Sequence, residues 1–375
     1  MKVLYAIQGK GIGHISRAAE IIPELQKYCE TDILISGNQN EIRLPFKVKY
    51  RCRGLSFVFG KEGSVESWNT YVDTSTKNFW KEISSVPVED YDFVLNDFEP
   101  VSAWACYNRK IPCMALSHQS AIIHSNSPKP KKNDFLGNLI LKNFAPSNLQ
   151  FGLHFGKYAP NIFTPVIQQS IRAAKPTNKG HYTVYLPSYN DKKIIGILRQ
   201  IPAIKWQLFS KNTSVVQIEG NIEIYPVHNE SFVESLVSST GVLCGAGFET
   251  PAEALHLGKK LMVAPLKNQY EQQCNAAALK QMGVTVLNKF KEKNLEKILN
   301  WIESNYSFNI EYPDNTSKMI SYIFESHIQE LIKSNFWGNE YQLQIKEDKE
   351  FYSNSNYKHI WRNTQPIPSI SKITN

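Results

Sequence analysis

The chain has 375 residues, 42% of them hydrophobic and 20% charged, the balance of a soluble globular protein that is long for one core and natural for two domains. No uninterrupted apolar run approaches the ~18 residues that a membrane-spanning helix needs, and Cys29, Cys52, Cys106, Cys113, Cys244 and Cys274 show no CxxC or other metal-ligand spacing, so reduced thiols of a cytoplasmic protein are expected. The net charge of +8 is unevenly placed: residues 101–165 hold seven Lys or Arg and one acid, Asp134, a bias that suits an anionic surface and equally a plain solvated face.

The N-terminal run KVLYAI (2–7) reads as a first strand and not as a signal peptide. A helix from Ile15 to about Tyr28 follows, then strands TDILIS (31–36) and VKYRC (48–52), a helix near 69–84, the strand DFVLND (92–97), a helix from Pro100 and the strand PCMALS (112–117). PKPKKND (128–134) marks a loop, and FLGNLILKNF (135–144) is an apolar patch with basic flanks. Pro, Asn and Lys gather in 160–180 as in a linker. The alternation restarts at HYTVYLP (181–187) and runs through KWQLFS (205–210), SVVQIE (214–219), IEIYPV (222–227), GVLCG (241–245), LMVAP (261–265) and VTVLN (284–288). Strands alternating with helices indicate parallel α/β architecture. We expect two doubly wound domains, over 1–165 and 166–335, and a polar extension over 336–375 that is either of low order or strapped over the N-terminal domain.

QGKGIGHISRA (8–18) closes the first strand. Gly9, Gly11 and Gly13 differ from a dinucleotide fingerprint, because the third glycine comes one residue early and no acid closes the second strand at ISG (35–37). NAD is therefore disfavoured, and the lack of GK[ST] disfavours a P-loop. His14 stands where the Gly-rich turn becomes a helix, and an imidazole with a pKa near ~6.5 suits a general base at neutral pH; a packing role under the turn is the alternative. Asp97 and Glu99, in VLNDFEP, end another parallel strand whose carboxyl end converges on the same crevice. Asp97 is a candidate to orient His14 or to cap the helix at Pro100, and Glu99 is a candidate base. His118, in LSHQS, lies at the same edge as a contact for acceptor or phosphate, or as packing.

The most informative stretch is 241–276, GVLCGAGFETPAEALHLGKKLMVAPLKNQYEQQCNA. A turn from a strand into a helix N-terminus offers backbone N–H groups and a positive dipole end to a pyrophosphate. Glu253 lies six residues after Gly247 and three after Thr250, placed to accept two hydrogen bonds from a ribose diol while the turn holds the phosphates. A nucleotide ligand is implied, against a turn whose glycines only allow tight packing.

This segment resembles the donor-sugar signature of nucleotide-sugar glycosyltransferases with the GT-B fold, such as plant, macrolide and MurG-like enzymes, in which Gly, x, Asn, Ser/Thr, x, x, Glu precedes a strand ending in Pro and a helix starting with Gln. Gly247, Thr250, Glu253, Gly258, Pro265, Gln269 and Asn275 fit it; the His that many members place on the diphosphate is Gly245 here, and the Asp before the sugar-binding Gln is Asn268. The resemblance extends to Gly11, Gly13 and His14, and more loosely to Arg17 and Pro23. It implies two Rossmann-like domains facing across a cleft, with donor contacts from Gly245, Gly247, Phe248, Thr250, Glu253, Gln269, Gln272 and Gln273. It implies acceptor or phosphate contacts from Gly11, Gly13, Arg17 and His118, with His14, Asp97 or Glu99 as base. The activity implied is inverting transfer of a hexosyl group from a UDP-linked donor to a glycan or lipid-linked hydroxyl in cell-envelope glycan synthesis, without metal or cofactor and without nucleic acid. Residues 128–144 suggest peripheral contact with an anionic membrane at the inner face of the cell membrane. A hydrolysing UDP-sugar epimerase on the same fold and a non-catalytic nucleotide-sugar sensor are the alternatives.

Overall fold

Val3, Leu4, Tyr5, Ala6 and Ile7 are all fully buried, so the first strand β1 (Lys2–Gln8) has no solvent face and must be covered by helices on both sides. The computed structural model describes residues 1–9, 12–37, 44–55, 78–131, 134–267 and 269–333. In its N-terminal half β1 is followed by α1 (Ile12–Leu25), β2 (Glu30–Ser36), β3 (Tyr50–Cys52), α2 (78–85), β4 (Phe93–Asp97), α3 (Pro100–Arg109), β5 (Cys113–Ser117), α4 (His118–Ile123), α5 (Phe135–Phe144), β6 (Leu149–Leu153) and β7 (Ile162–Phe163). The strands form one parallel sheet in the order β3-β2-β1-β4-β5-β6-β7.

α6 (Gln169–Arg172) leads into a second sheet, built from β8 (His181–Tyr185), α7 (Asp191–Leu198), β9 (Lys205–Ser210), β10 (Gln217–Glu219), β11 (Ile222–Pro226), α8 (Asn229–Ser238), β12 (Gly241–Cys244), α9 (Glu249–His256), β13 (Lys260–Val263), α10 (Tyr270–Gln281), β14 (Thr285–Val286), α11 (Leu295–Glu303) and α12 (Thr316–Lys333). Its order is β10-β11-β9-β8-β12-β13-β14, parallel except for the edge hairpin of β10 on β11. Each sheet reverses its winding at one point, between β1 and β4 in the first and between β8 and β12 in the second. Crevices open there at the carboxyl ends of the strands.

The expected α/β, two-sheet architecture is what the chain adopts, with differences in detail. FLGNLILKNF is helix α5, which buries Leu139, Leu141 and Phe144 and leaves Phe135 and Leu136 exposed. LQFGL (149–153) and Ile162–Phe163 are strands that the sequence reading passed over, since Gly152 and Gly156 signal loop there. Of SVVQIE, residues 217–219 alone are strand. The helix expected near 69–84 is seen over 78–85, with 69–77 outside the described residues, as are 336–375. The element that crosses back to the first domain is α12: Phe324 stacks on Tyr28 at 5.3 Å and meets Phe93 edge-on at 5.5 Å. The two interdomain crossings are tied together where Arg172 Nη1 donates to the Tyr312 carbonyl at 2.7 Å. No helix among the described residues is long and apolar enough to cross a membrane.

Candidate active site

The first half of the site forms at the β1/β4 crevice. Burial of Ile15, Ala18, Ile21, Ile22 and Leu25 turns one face of α1 onto the sheet, and His14 and Arg17, one turn apart, look toward the end of β4. There Asp97 is the last residue of the strand and Phe98 turns the chain with φ 56, a left-handed conformation that costs a side-chain-bearing residue about 1–2 kcal/mol. Packing supports the turn: Phe98 stacks on Phe144 at 4.8 Å, and the Asn96 amide accepts from Glu99 N and donates to Glu99 O, at 2.9 and 2.7 Å.

The two carboxylates beyond this turn have separate tasks. Glu99 is the cap of α3: it accepts from Val101 N and Ser102 N at 2.7 Å each, and from Ser102 Oγ at 2.6 Å. The capping role considered for Asp97 therefore belongs to Glu99, whose two oxygens are held by α3. Burial pushes its pKa up against these bonds. Asp97 instead faces α1. His14 Nδ1 lies 2.9 Å from Asp97 Oδ1, while Arg17 donates Nη2 to both carboxylate oxygens at 2.8 and 2.9 Å and Nε to Oδ2 at 3.1 Å. Burial alone would raise the Asp97 pKa, but Arg17 and then His14 outweigh it and hold the carboxyl below its usual range. Arg17 Nη2 also lies 3.0 Å from His14 Nδ1, so the imidazole is held by both members of the Asp97–Arg17 pair, and Nδ1 donates to Asp97 in the tautomer that carries its proton there.

The second half forms at the β8/β12 crevice. A pocket there is lined by Tyr185 to Tyr189 from the loop after β8, by Gly245, Gly247 and Thr250 after β12, and by Leu266 and Gln272. A Cβ built on Gly245 or Gly247 would meet nothing within 4 Å, so these glycines front open space and do not serve tight packing. Phe248 precedes α9 without any side-chain cap. Glu253 is buried in α9 with Gln168 Nε2 donating to it at 2.7 Å; desolvation, with Glu249 nearby, pushes its pKa up to about 8. Gln272 accepts from Leu266 N at 3.0 Å and Gln273 donates to Leu266 O at 2.6 Å, whereas Gln269 caps α10 through its backbone position only. Gly11 and Asn268 lie outside the described residues.

The halves meet directly. Arg17 Nη1 donates to Glu249 of α9, and Gly13 lies against that carboxylate. His118, buried, has Nδ1 donating to Leu153 O at 2.7 Å and Nε2 at 2.6 Å from Asn275 Oδ1, with its ring stacked on Phe248 at 3.9 Å. Burial lowers its pKa to about 4. Both nitrogens are engaged, so His118 is an interdomain packing element here and offers no open atom to a substrate.

A family model described as glycosyl transferase family 1 matches residues 1–304. The chain belongs to glycosyl transferase family 1. Solved structures share its fold at low identity. They include Staphylococcus aureus MnaA with UDP (11% identity, 89% of this chain and 98% of that one, TM-score 0.57) and Phytolacca americana UGT2 with UDP-2fluoro-glucose and pterostilbene (12%, 88% and 93%, 0.54). A Polygonum tinctorium UDP-glucosyltransferase with 3,4-dichloroaniline is a third (13%, 88% and 92%, 0.51). No curated protein matches the chain.

Two carboxylates of this glycosyl transferase escaped the sequence reading. Glu249 stands where the donor signature has Asn, and that departure was the available signal. Glu271, in the first turn of α10, accepts from Gln119 Nε2 at 3.2 Å across the two halves; burial raises its pKa while the His14 charge and the Gln119 bond lower it. Nothing local in NQYEQQ distinguishes it.

Proposed function

We propose that this glycosyl transferase moves a hexosyl group, with inversion, from a UDP-linked donor held by the C-terminal domain to a hydroxyl of a glycan or lipid-linked acceptor held by the N-terminal domain. The observation that supports the reading is the His14–Asp97 pair: in the tautomer whose Nδ1 proton is donated to Asp97, Nε2 of His14 is the nitrogen available as base. As the acceptor oxygen attacks the anomeric carbon it gives its proton to Nε2, and buried Asp97 stabilises the imidazolium. The open turn at Gly245 and Gly247, Thr250 and the start of α9 receive the leaving diphosphate. Glu253 takes the ribose hydroxyls, and Gln269 a hydroxyl of the donor sugar. A divalent cation has no part in this assignment, so turnover should persist in chelator.

The acceptor side carries exposed Phe135 (48%) and Leu136 (37%) beside Lys131, a combination that supports peripheral contact with an anionic bilayer. Lys129 contributes less, since its Nζ already donates to His124 O at 3.1 Å; Lys132 lies outside the described residues. The test is UDP release from a panel of UDP-sugars with and without lipid-linked and soluble glycan acceptors. Release that needs an acceptor is the expected result. Release without acceptor would assign a hydrolysing epimerase, and binding without turnover a sensor.

A further inference from the structure

Arg17 and Glu249 meet across the cleft, one from each domain. Arg17 commits Nε and Nη2 to Asp97, so its guanidinium cannot swing, and it reaches Glu249 with Nη1. Room for the contact is provided at Gly13, where an added Cβ would collide with the Glu249 carboxylate. The side chain of Arg17 is 2% exposed and that of Glu249 23%, so the carboxylate is the partner that can leave. Burial opposes the charge on Arg17, but Asp97 and Glu249 together keep the guanidinium protonated more firmly than usual.

The charge balance is what makes the pair informative. One guanidinium, that of Arg17, faces two carboxylates, and Glu249 is the residue that follows the Gly245–Phe248 turn. None of the described residues lining the β8/β12 pocket is basic. A diphosphate arriving there would find no side-chain cation among those lining residues, and a carboxylate already on Arg17 across the cleft.

Resting on the nucleotide-sugar reading above, we propose that Arg17 is the cation that receives the leaving diphosphate, and that Glu249 is its resident counterion, displaced when the donor binds. A guanidinium with one face locked on Asp97 presents Nη1 as a fixed, charge-assisted donor to a phosphate oxygen. In the transfer step the acceptor oxygen bonds to the anomeric carbon. The bond from that carbon to the β-phosphate oxygen breaks with its electron pair left on the diphosphate, and the acceptor proton passes to His14 Nε2. Arg17 meets the charge that develops on the leaving group, and Asp97 steadies base and leaving-group cation together.

A double-mutant cycle on the full chain tests this, with calorimetric affinities for UDP and for uridine. Glu249→Gln should tighten UDP by about tenfold, the scale of one charge-assisted contact, and leave uridine unchanged. Arg17→Lys should weaken UDP by a similar factor with uridine unchanged, and in that background Glu249→Gln should gain nothing. If Arg17→Lys does not fold, Gly13→Ala, which pushes Glu249 off its partner, should reproduce the tightening. The idea is overturned if Glu249→Gln leaves UDP affinity unaltered, or if its gain persists when it is combined with Arg17→Lys. It is also overturned if Glu249→Gln weakens UDP only with Mg²⁺ present, the sign of a carboxylate that holds phosphate through a metal. Wild-type protein that binds no nucleoside diphosphate removes the nucleotide-sugar reading as well; wild-type binding without the cycle removes this inference alone.

Discussion

The two crevices are built on one plan and treat their buried carboxyl groups differently. Between β1 and β4 the ionisable groups are paired with one another: Asp97 is fully buried yet ionised, because Arg17 and His14 surround it. Between β8 and β12 the buried carboxyl group, Glu253, has an amide from Gln168 and no basic partner among the described residues, and its pKa rises instead. In the proposed reaction Asp97 has to hold one geometry, which a fixed counterion serves, whereas Glu253, the proposed ribose partner, keeps capacity for a ligand to fill. The contrast separates positioning from recognition at the level of charge.

The largest effect expected from breaking this arrangement is on the base. His14→Ala should lower kcat by about 10²–10⁴ while UDP affinity, measured by calorimetry, stays within a few-fold, since the proposed nucleotide contacts lie mainly on the other domain. Survival of turnover would pass the role of base to another group, with Asp97→Asn next to be assayed. That substitution should itself cost about 3–5 kcal/mol of stability by stranding buried Arg17, read from denaturant unfolding, and Asp97→Asn with Arg17→Met should recover part of the loss. The sign with pH follows from the lowered pKa: the Asp97 contribution is present above the unfolded value near ~3.9 and disappears as pH falls through the lower folded value.

On the recognition side the effects are smaller. Glu253→Ala should weaken UDP by about 1–3 kcal/mol without unfolding the protein, and unchanged affinity would take Glu253 out of the site. Because its pKa is raised to about 8, this proposed ribose partner is largely protonated at neutral pH in the unliganded protein. UDP affinity should therefore climb as pH rises toward 8, and Glu253→Gln should flatten that slope. Unliganded stability should move the other way, since a raised folded pKa favours the native state below the unfolded value near ~4.3 and loses that contribution as pH rises to about 8. The smallest effect concerns the acceptor face: Lys131→Glu should weaken co-sedimentation with anionic vesicles by ~1 kcal/mol. Absence of any binding at low salt would leave a soluble acceptor.

The fold was legible because its central strands are buried on both faces and read as apolar runs, as in VLYAI and GVLCG, with turn residues between them. His14 and Asp97 were legible for a related reason, since parallel strands bring their carboxyl ends to one edge. What local pattern cannot carry is a partner far along the chain. Arg17 and Glu249 are 232 residues apart, and His118 and Asn275 are 157 apart. The choice left open for His118 between ligand contact and packing is settled by that distant partner, and Glu249 carried no local signal beyond its departure from the Asn of the donor signature. Glu99 went astray at shorter range: the sequence DFEP holds two carboxylates, and only the left-handed turn at Phe98 decides which one faces the cleft.

The double crossing between the domains governs how the molecule can move. The chain passes over once after β7 and returns ahead of α12, and Arg172 joins the two passages at the Tyr312 carbonyl. Two chain passages tied to each other at one point, with α12 packed on Tyr28 and Phe93, constrain the relative motion of the two halves more than a single linker would.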